Sequence, residues 1–487
     1  MTTAGLTPRR FRAPPVALAG ALVVVVVAVM VRYGETALSL YGAVLPQAAV
    51  FVPLVGLATL FAARRPAGAV IGLVALAAFS GSMLAYVYVD PTLFITLLIC
   101  ATGIAVALGY ASARTRPGLI PWPPSFLLGG YLLLSVVYVL FAPSFLAGAE
   151  GFARELLFPA LLLVLAYGQW SGAVRRKMLL GVIFLCTAAA LYAVLRYIIG
   201  PSGAEAAVPS AGFSQNVGGE LSLLGSFANR QQLGGWTAVA IPALVALAFA
   251  VPPRWRIVCV VGVGASVVAL LGSDTRVALV AAGAGLVVTL ALLLLSRFAR
   301  SQILAVAVGL LLVGVGGIGA YALTVGGDEQ DADRYSNILT PTEDPTFDQR
   351  RKKWENVIDI VAPRPTGFGL GTAGQTGQTT NRFQSPDQQS IDNSYLTIAY
   401  QQGFAMTGLL VIALLAFVVA LGRAALNASR PEIGGLAAAA TGALVAWMVL
   451  MTAGIYIERY AALLACCLAG LATGQIVTRS EPDPADA

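Results

Sequence analysis

Histidine is absent from this chain. That excludes an imidazole base, an imidazole metal ligand and a histidine pH switch. Charge is scarce as well: Asp, Glu, Lys and Arg make up 11% of 487 residues. A soluble chain of this length cannot cover its surface with so few charged groups. Lysine is nearly missing, with only Lys177, Lys352 and Lys353, so the basic charge is arginine. The cysteines Cys100, Cys186, Cys259, Cys466 and Cys467 all fall inside apolar runs. They show neither zinc-site spacing nor a disulfide framework, and read as small apolar core residues.

What is present is apolar sequence: 58% hydrophobic, with a mean hydropathy of +0.82. Runs close to the ~20 residues needed to cross a bilayer recur along the chain. The reading is fourteen spans, at 16–31, 37–62, 67–89, 92–111, 124–142, 154–169, 178–199, 231–250, 255–272, 276–297, 302–325, 394–422, 436–457 and 461–477. Two broken spans would reduce this to twelve. The expected fold is therefore an all-α polytopic membrane protein of about 12–14 transmembrane helices. The N-terminal run after MTTAGLTPRRFRAPP imitates a signal peptide but lacks a small-residue cleavage site, so it reads as a first span. The net charge of +7 is no nucleic-acid signal, because the basic residues lie in short clusters between spans.

Those clusters orient the chain. With the N-terminus in the cytoplasm, the inner segments hold Arg9, Arg10, Arg12, Arg64, Arg65, Arg114, Arg116, Arg175, Arg176, Lys177, Arg254, Arg256, Arg297, Arg300, Arg423, Arg430 and Arg479. The short outer segments hold single arginines: Arg32, Arg154, Arg230, Arg276 and Arg459. This follows the positive-inside rule. It divides the chain into N-terminal spans (1–199), an outer loop (200–230), central spans (231–325), a large outer loop (326–393), C-terminal spans (394–478) and a cytoplasmic tail (479–487). Both termini are expected in the cytoplasm of a multi-pass cytoplasmic-membrane protein.

The segment 326–393 is the one long polar stretch. Thr346 to Gln349 has capping-box spacing, and Trp354, Val357, Ile358 and Val361 mark an apolar face that Pro363 and Pro365 end. The spacing predicts a short helix lying across the bundle mouth, with Arg350 on the Trp354 side. After it, Gly369, Gly371 and Gly374 form a formal GxGxxG. No strand precedes them, so a dinucleotide site is excluded in favour of a tight loop that lets backbone approach closely.

Arginine at a span end is a site hypothesis by default. Arg154, Arg230 and Arg276 each open a span from the outer side, where helix dipoles favour an anion. With Arg350 above them they make a candidate phosphate-binding group, since the guanidinium fork binds two phosphate oxygens at once. The competing reading pairs them locally: Arg154 with Glu155, Arg276 with Asp274, Arg459 with Glu458. Asp392 and Asn393 stand where the loop re-enters the membrane. They read as helix caps, and Asp392 also as a general base.

In this order the motifs resemble the O-antigen ligase and polymerase superfamily of bacterial polysaccharide assembly. The resemblance rests on Gly225-Ser-Phe-Ala-Asn-Arg230, on Ser273-Asp-Thr-Arg276, on Arg350 with Trp354, on Pro365 followed by Gly367, Gly369 and Gly371, and on Asp392-Asn393-Ser394-Tyr395-Leu396 with Gly403 and Gly408. Members often carry His where this chain has Asp392. A carboxylate becomes a strong base only when desolvated, so Glu220, Asp274 and Asp387 are alternative candidates.

The resemblance implies a GT-C-like arrangement with the active site on the external face. It implies inverting glycosyl transfer from a polyprenyl-diphosphate-linked glycan to a glycan, glycolipid or protein acceptor, with no cofactor and no metal. Arg230, Arg276 and Asp392 would carry the chemistry, and Arg154, Arg230, Arg276 and Arg350 would hold the diphosphate. Trp354, Gly367, Gly369, Gly371, Asn393 and Tyr395 would form the loop and acceptor side. The partners would be this donor, the acceptor and the lipid bilayer, and no nucleic acid. The alternative is a transporter or flippase for lipid-linked saccharides. That reading predicts charged or broken helices at mid-membrane, whereas the mid-span residues here are nearly all apolar.

Overall fold

The computed structural model describes residues 45–87, 92–112, 123–200, 202–206, 216–217, 220–221, 224–296, 345–374 and 391–477. The expected spans 16–31 and 302–325, Arg32, Asp387 and the tail 479–487 lie outside the described residues. In chain order the helices are α1 (Leu45–Arg64), α2 (Pro66–Ala78), α3 (Ser80–Val87), α4 (Thr92–Ser112), α5 (Pro123–Leu140), α6 (Phe145–Tyr167), α7 (Gly172–Ile199), α8 (Arg230–Ala250), α9 (Pro253–Gly272), α10 (Arg276–Leu295), α11 (Pro345–Val361), α12 (Ser394–Asn427), α13 (Pro431–Leu450) and α14 (Tyr460–Val477). A helical turn at Gly203–Ala206 and a minimal antiparallel pair, Asn216–Val217 with Glu220–Leu221, complete the described elements.

Among the described residues seven helices are long and apolar enough to cross a membrane, or eight if the sharply bent α1–α2 pair forms one span. The chain is an all-α polytopic membrane protein. The centre is α8 and α13. Within their apolar windows 89% and 78% of residues are buried, against 33% for α10 and for α12, whose outer faces remain open. Small residues explain this placement, because in a membrane helices associate through close backbone approach. Gly285 of α10 and Gly442 of α13 meet across Pro242 of α8, where a Cβ on Gly285 would lie 2.7 Å from the Gly442 carbonyl oxygen. On the outer faces Ile257, Val287 and Leu295 are exposed, as lipid-facing positions should be. All five cysteines are buried thiols.

Two expected spans are broken. The run 67–89 divides into α2 and α3 at Phe79, where the segment before α8 enters the break. The amides of Gly81 and Ser82 donate to the Ser226 carbonyl, at 2.9 and 3.2 Å, and the Ser226 hydroxyl donates to the Ala78 carbonyl. Partners from another segment thus satisfy amides that a continuous helix would use itself. The long helix α12 is interrupted at Gly403, at φ +82°, ψ +164°. The bundle has two ends. Near one lie the starts of α6, α8, α10, α12 and α14, together with α11. Near the other lie the starts of α7, α9 and α13 and the C-terminal ends of α6, α8, α12 and α14.

Candidate active site

The first end is built around the start of α8. Asn229 caps that helix by accepting from the Gln232 amide at 2.9 Å. Arg230 is thereby placed on the first turn, where the helix dipole adds to its positive charge. The α9–α10 turn packs against α8 at Gly234. A Cβ there would lie 2.8 Å from Thr275 Cβ, and the Thr275 hydroxyl donates to the Arg230 carbonyl. Asp274 holds φ +49°, a conformation that Asp tolerates better than most residues. It points its carboxylate at Arg230, with Oδ2 3.1 Å from Nη1. Arg276 begins α10 immediately after this turn. Arg230 and Arg276 therefore open neighbouring helices, as the sequence suggested. The Asp274 carboxylate, expected beside Arg276, also reaches Arg230 on the neighbouring helix.

The connection between α13 and α14 forms the opposite wall. Tyr456 lies against α8 so closely that a Cβ on Gly235 would come within 2.6 Å of its ring. The Trp447 indole donates to the Tyr456 carbonyl at 3.1 Å and fixes the backbone. Burial pushes the Tyr456 hydroxyl pKa up, while Arg459, Arg350 and Arg230 are close enough to oppose that rise. These three arginines come from three separate elements, α8, α11 and the α13–α14 connection. The Tyr456 hydroxyl has no hydrogen-bond partner among the described residues. Arg459 lies 5.1 Å over the Tyr456 ring, a cation–π contact, rather than in the expected pair with Glu458. The sequence reading missed Tyr456. Its available signal was an aromatic residue beside a charged pair in a short connection between two apolar runs.

The start of α12 is anchored to the same connection. Ser394 donates through its amide and its hydroxyl to the Gly454 carbonyl, and the Asn393 side chain donates to the Thr452 carbonyl at 2.9 Å. Asn393 also caps α12, accepting from the amides of Tyr395 and Leu396. The Tyr395 hydroxyl donates to the Met448 carbonyl. With capping done by Asn393, Asp392 is turned to Arg350, its Oδ2 3.9 Å from Nε. Both side chains are about two-fifths exposed. Asp392 thus stands at the solvent-facing mouth.

The expected helix in the polar segment is present as α11. Pro345 occupies its first position, so Thr346 lies inside the first turn rather than at the cap. Val357 and Val361 are buried against Ala373, Ile391, Ala399 and Tyr400. Trp354 is half-buried, whereas Ile358 is exposed, contrary to the expected apolar face. The helix leans on α12 along a narrower stripe than the sequence pattern marked out. Arg364, Phe368 and Tyr400 stack in succession beneath it. The guanidinium is 4.3 Å from the Phe368 ring, and the two rings are 4.4 Å apart.

The glycine run contacts its own chain. Gly367, Gly369, Gly371 and Gly374 all have positive φ, which side-chain-bearing residues rarely adopt. The Phe368 amide donates to the Tyr400 carbonyl, the Gly369 amide to the Gln401 carbonyl and the Gly371 amide to Gln401 Oε1. A Cβ on Gly403 would collide with the Pro365 carbonyl. The break in α12 therefore frees backbone carbonyls that the loop amides take up. The Gln401 amide also donates to Glu155, which is buried. Arg154, expected to pair with Glu155, instead lies 3.0 Å from Glu150 one turn earlier on α6. The structure thus brings Arg230, Arg276, Arg350, Asp392 and Asn393 to one mouth, and places Arg154 against its own helix. Among the described residues no three His, Cys, Asp or Glu side chains gather as a metal-binding group. The positive charge gathered here is carried by guanidinium groups.

No curated protein matches the chain. A family model described as O-antigen ligase matches residues 261–411, a stretch that runs from α9 through α11 and the glycine run to the first half of α12. Arg276, Arg350, Asp392 and Asn393 lie inside this match, while Arg230 and Tyr456 flank it and pack against it. Over residues 261–411 the chain is thus similar to the O-antigen ligase family.

Proposed function

We propose that the chain transfers or polymerises a glycan carried on a polyprenyl diphosphate, at the outer face of the cytoplasmic membrane. The observation that carries the reading is that Arg230 and Arg276 open neighbouring helices against Tyr456, whose ring packs on α8 at Gly235 and under Arg459, within and beside the segment matched to O-antigen ligase. A diphosphate leaving group gathers negative charge as its bond to the sugar breaks. Fixed guanidinium groups at helix N-termini stabilise that charge without reorganising.

In this reading Arg230, Arg276 and Arg350 hold the diphosphate, with Arg459 as a fourth cation, and the Tyr456 hydroxyl donates to a phosphate oxygen. Arg154 stays at the edge of the group. Asp392 takes the proton of the acceptor hydroxyl as its oxygen bonds to the anomeric carbon, and polyprenyl diphosphate leaves from the opposite side. The anomeric configuration is inverted in that single displacement. Trp354, Asn393, Tyr395 and the loop through Gly367, Gly369 and Gly371 shape the acceptor side. The chemistry proposed needs no cofactor and no metal.

The test is purified protein with a short polyprenyl-diphosphate oligosaccharide in EDTA, with products read by mass spectrometry. Free polyprenyl diphosphate plus a longer lipid-linked glycan is the polymerase result. Release that requires a second acceptor is the ligase result. No release with any acceptor overturns the reading, and donor movement across liposomes in that case would put a transporter in its place.

A further inference from the structure

The opposite end of the bundle contains a cleft of about 690 Å³ between the starts of α7 and α13, the α8–α9 turn and the last turns of α14. Its composition is graded. The inner wall is apolar, with Leu179 and Leu180 of α7, Leu436 of α13 and Leu471 of α14. The rim is basic, with Arg175, Arg176 and Lys177 in succession beside Trp170. Arg175 is buried and built into the wall. Its guanidinium donates to the Gly168 carbonyl at 2.9 Å and to the Gly474 carbonyl. Arg176 and Lys177 are exposed, and neither is in an ion pair with a described carboxylate. Among the described residues Glu432 is the one acid on the rim. The starts of α9 and α13 face the same region without side-chain caps. Their first amides add partial positive charge.

An occupant must therefore carry negative charge at one end and hydrocarbon at the other. It must also reach a cleft at the end of a membrane-spanning bundle. Free phosphate would leave the leucine wall unused. A lipid-linked diphosphate held at the arginine cluster would lie a full helix length away. We propose that this cleft is a binding site for an anionic phospholipid, with its phosphate between Arg176 and Lys177 and its acyl chains along the leucine wall. The volume suits a headgroup and the first methylenes of its chains. Basic pockets between transmembrane helices recognise anionic headgroups in this way. The proposal is independent of the proposed glycosyl transfer.

The test uses the full chain in nanodiscs of phosphatidylcholine, or of an equal mixture of phosphatidylcholine and phosphatidylglycerol, with bound lipid counted by native mass spectrometry. The expected result is retention of phosphatidylglycerol in preference to phosphatidylcholine. The double variant Arg176→Gln with Lys177→Gln should weaken that retention by about tenfold. A control, Arg64→Gln with Arg65→Gln, removes the same charge at the α1–α2 turn outside this cleft and should leave retention unchanged. Equal loss in both double variants, or no preference for phosphatidylglycerol, overturns the proposal. The sequence after α14 carries Glu481, Asp483 and Asp486. Retention that appears only after deletion of residues 479–487 would assign the cleft to that acidic segment and also overturn it.

Discussion

The two ends of the bundle are both rich in arginine, yet they use it differently. At the end formed by the starts of α8, α10 and α12, arginines are held by specific partners, two of them distant in sequence. Arg230 is fixed by Asp274, Arg350 meets Asp392, and Arg459 lies on Tyr456. At the other end Arg176 and Lys177 are exposed, and Glu432 is the one acid among the described residues there. The first arrangement costs desolvation and side-chain entropy, which a site that must meet a forming charge in fixed geometry offsets through preorganisation. The second keeps Arg176 and Lys177 solvated beside a buried Arg175, as suits orientation in the membrane and contact with headgroups. The same residue type thus serves geometry at one end and net charge at the other.

Substitutions can break this contrast or sharpen it. Arg230→Ala should have the largest effect, a loss of glycosyl transfer on the order of a hundred- to a thousandfold, as for removal of an electrostatic stabiliser. Arg230→Lys should recover only part of it, because the fork is lost. Product formation by mass spectrometry checks both. Asp392→Asn should lower kcat by about a hundredfold if the carboxylate is the base. A loss of only a few-fold would leave Asp392 as a group that merely orients Arg350.

Tyr456→Phe keeps the ring against Gly235 and removes only the hydroxyl. Transfer should fall by roughly tenfold with no change in thermal stability, the signature of a bond made to a charged substrate group. Gly403→Ala places a methyl against the Pro365 carbonyl at positive φ. It should destabilise the loop by about 1–3 kcal/mol, seen as faster proteolysis of 364–374 than in the parent protein. Arg254→Gln, at the far end, should change transfer by less than about twofold, since isolated surface charges contribute little. A large loss there would mean that the two ends are coupled.

Much of this molecule was legible in composition and periodicity. The apolar runs located α5, α7, α8, α9, α10 and α13 because a bilayer demands that length and that hydropathy of any crossing helix. Asn393 was readable as a cap at a helix start because capping is local. The breaks at Phe79 and Gly403 were not readable as breaks. Their amides and carbonyls are satisfied by Ser226 and by the glycine run, both remote in sequence. The site was legible in part for the same reason. Single arginines at span ends pointed to Arg230 and Arg276, since an isolated charge there needs a reason, and the helix pattern of the polar segment pointed to Arg350. The pairing of Arg154 with Glu150 was not legible, because the span was read as starting at 154, whereas the helix begins at Phe145 and sets Glu150 one turn before Arg154.

The sequence by itself determined that this chain lives in a membrane, where its helices cross and at which ends its charges sit. Those properties follow from transfer energies that act residue by residue. Only the tertiary structure decided which charges meet. It gave Asp274 to Arg230, turned Asp392 to Arg350 while Asn393 took the cap, and laid Arg459 on the Tyr456 ring against α8. It also spent the glycine run on the chain's own carbonyls. Such pairings depend on helices packing at their small residues, and no local pattern records which distant backbone will arrive there.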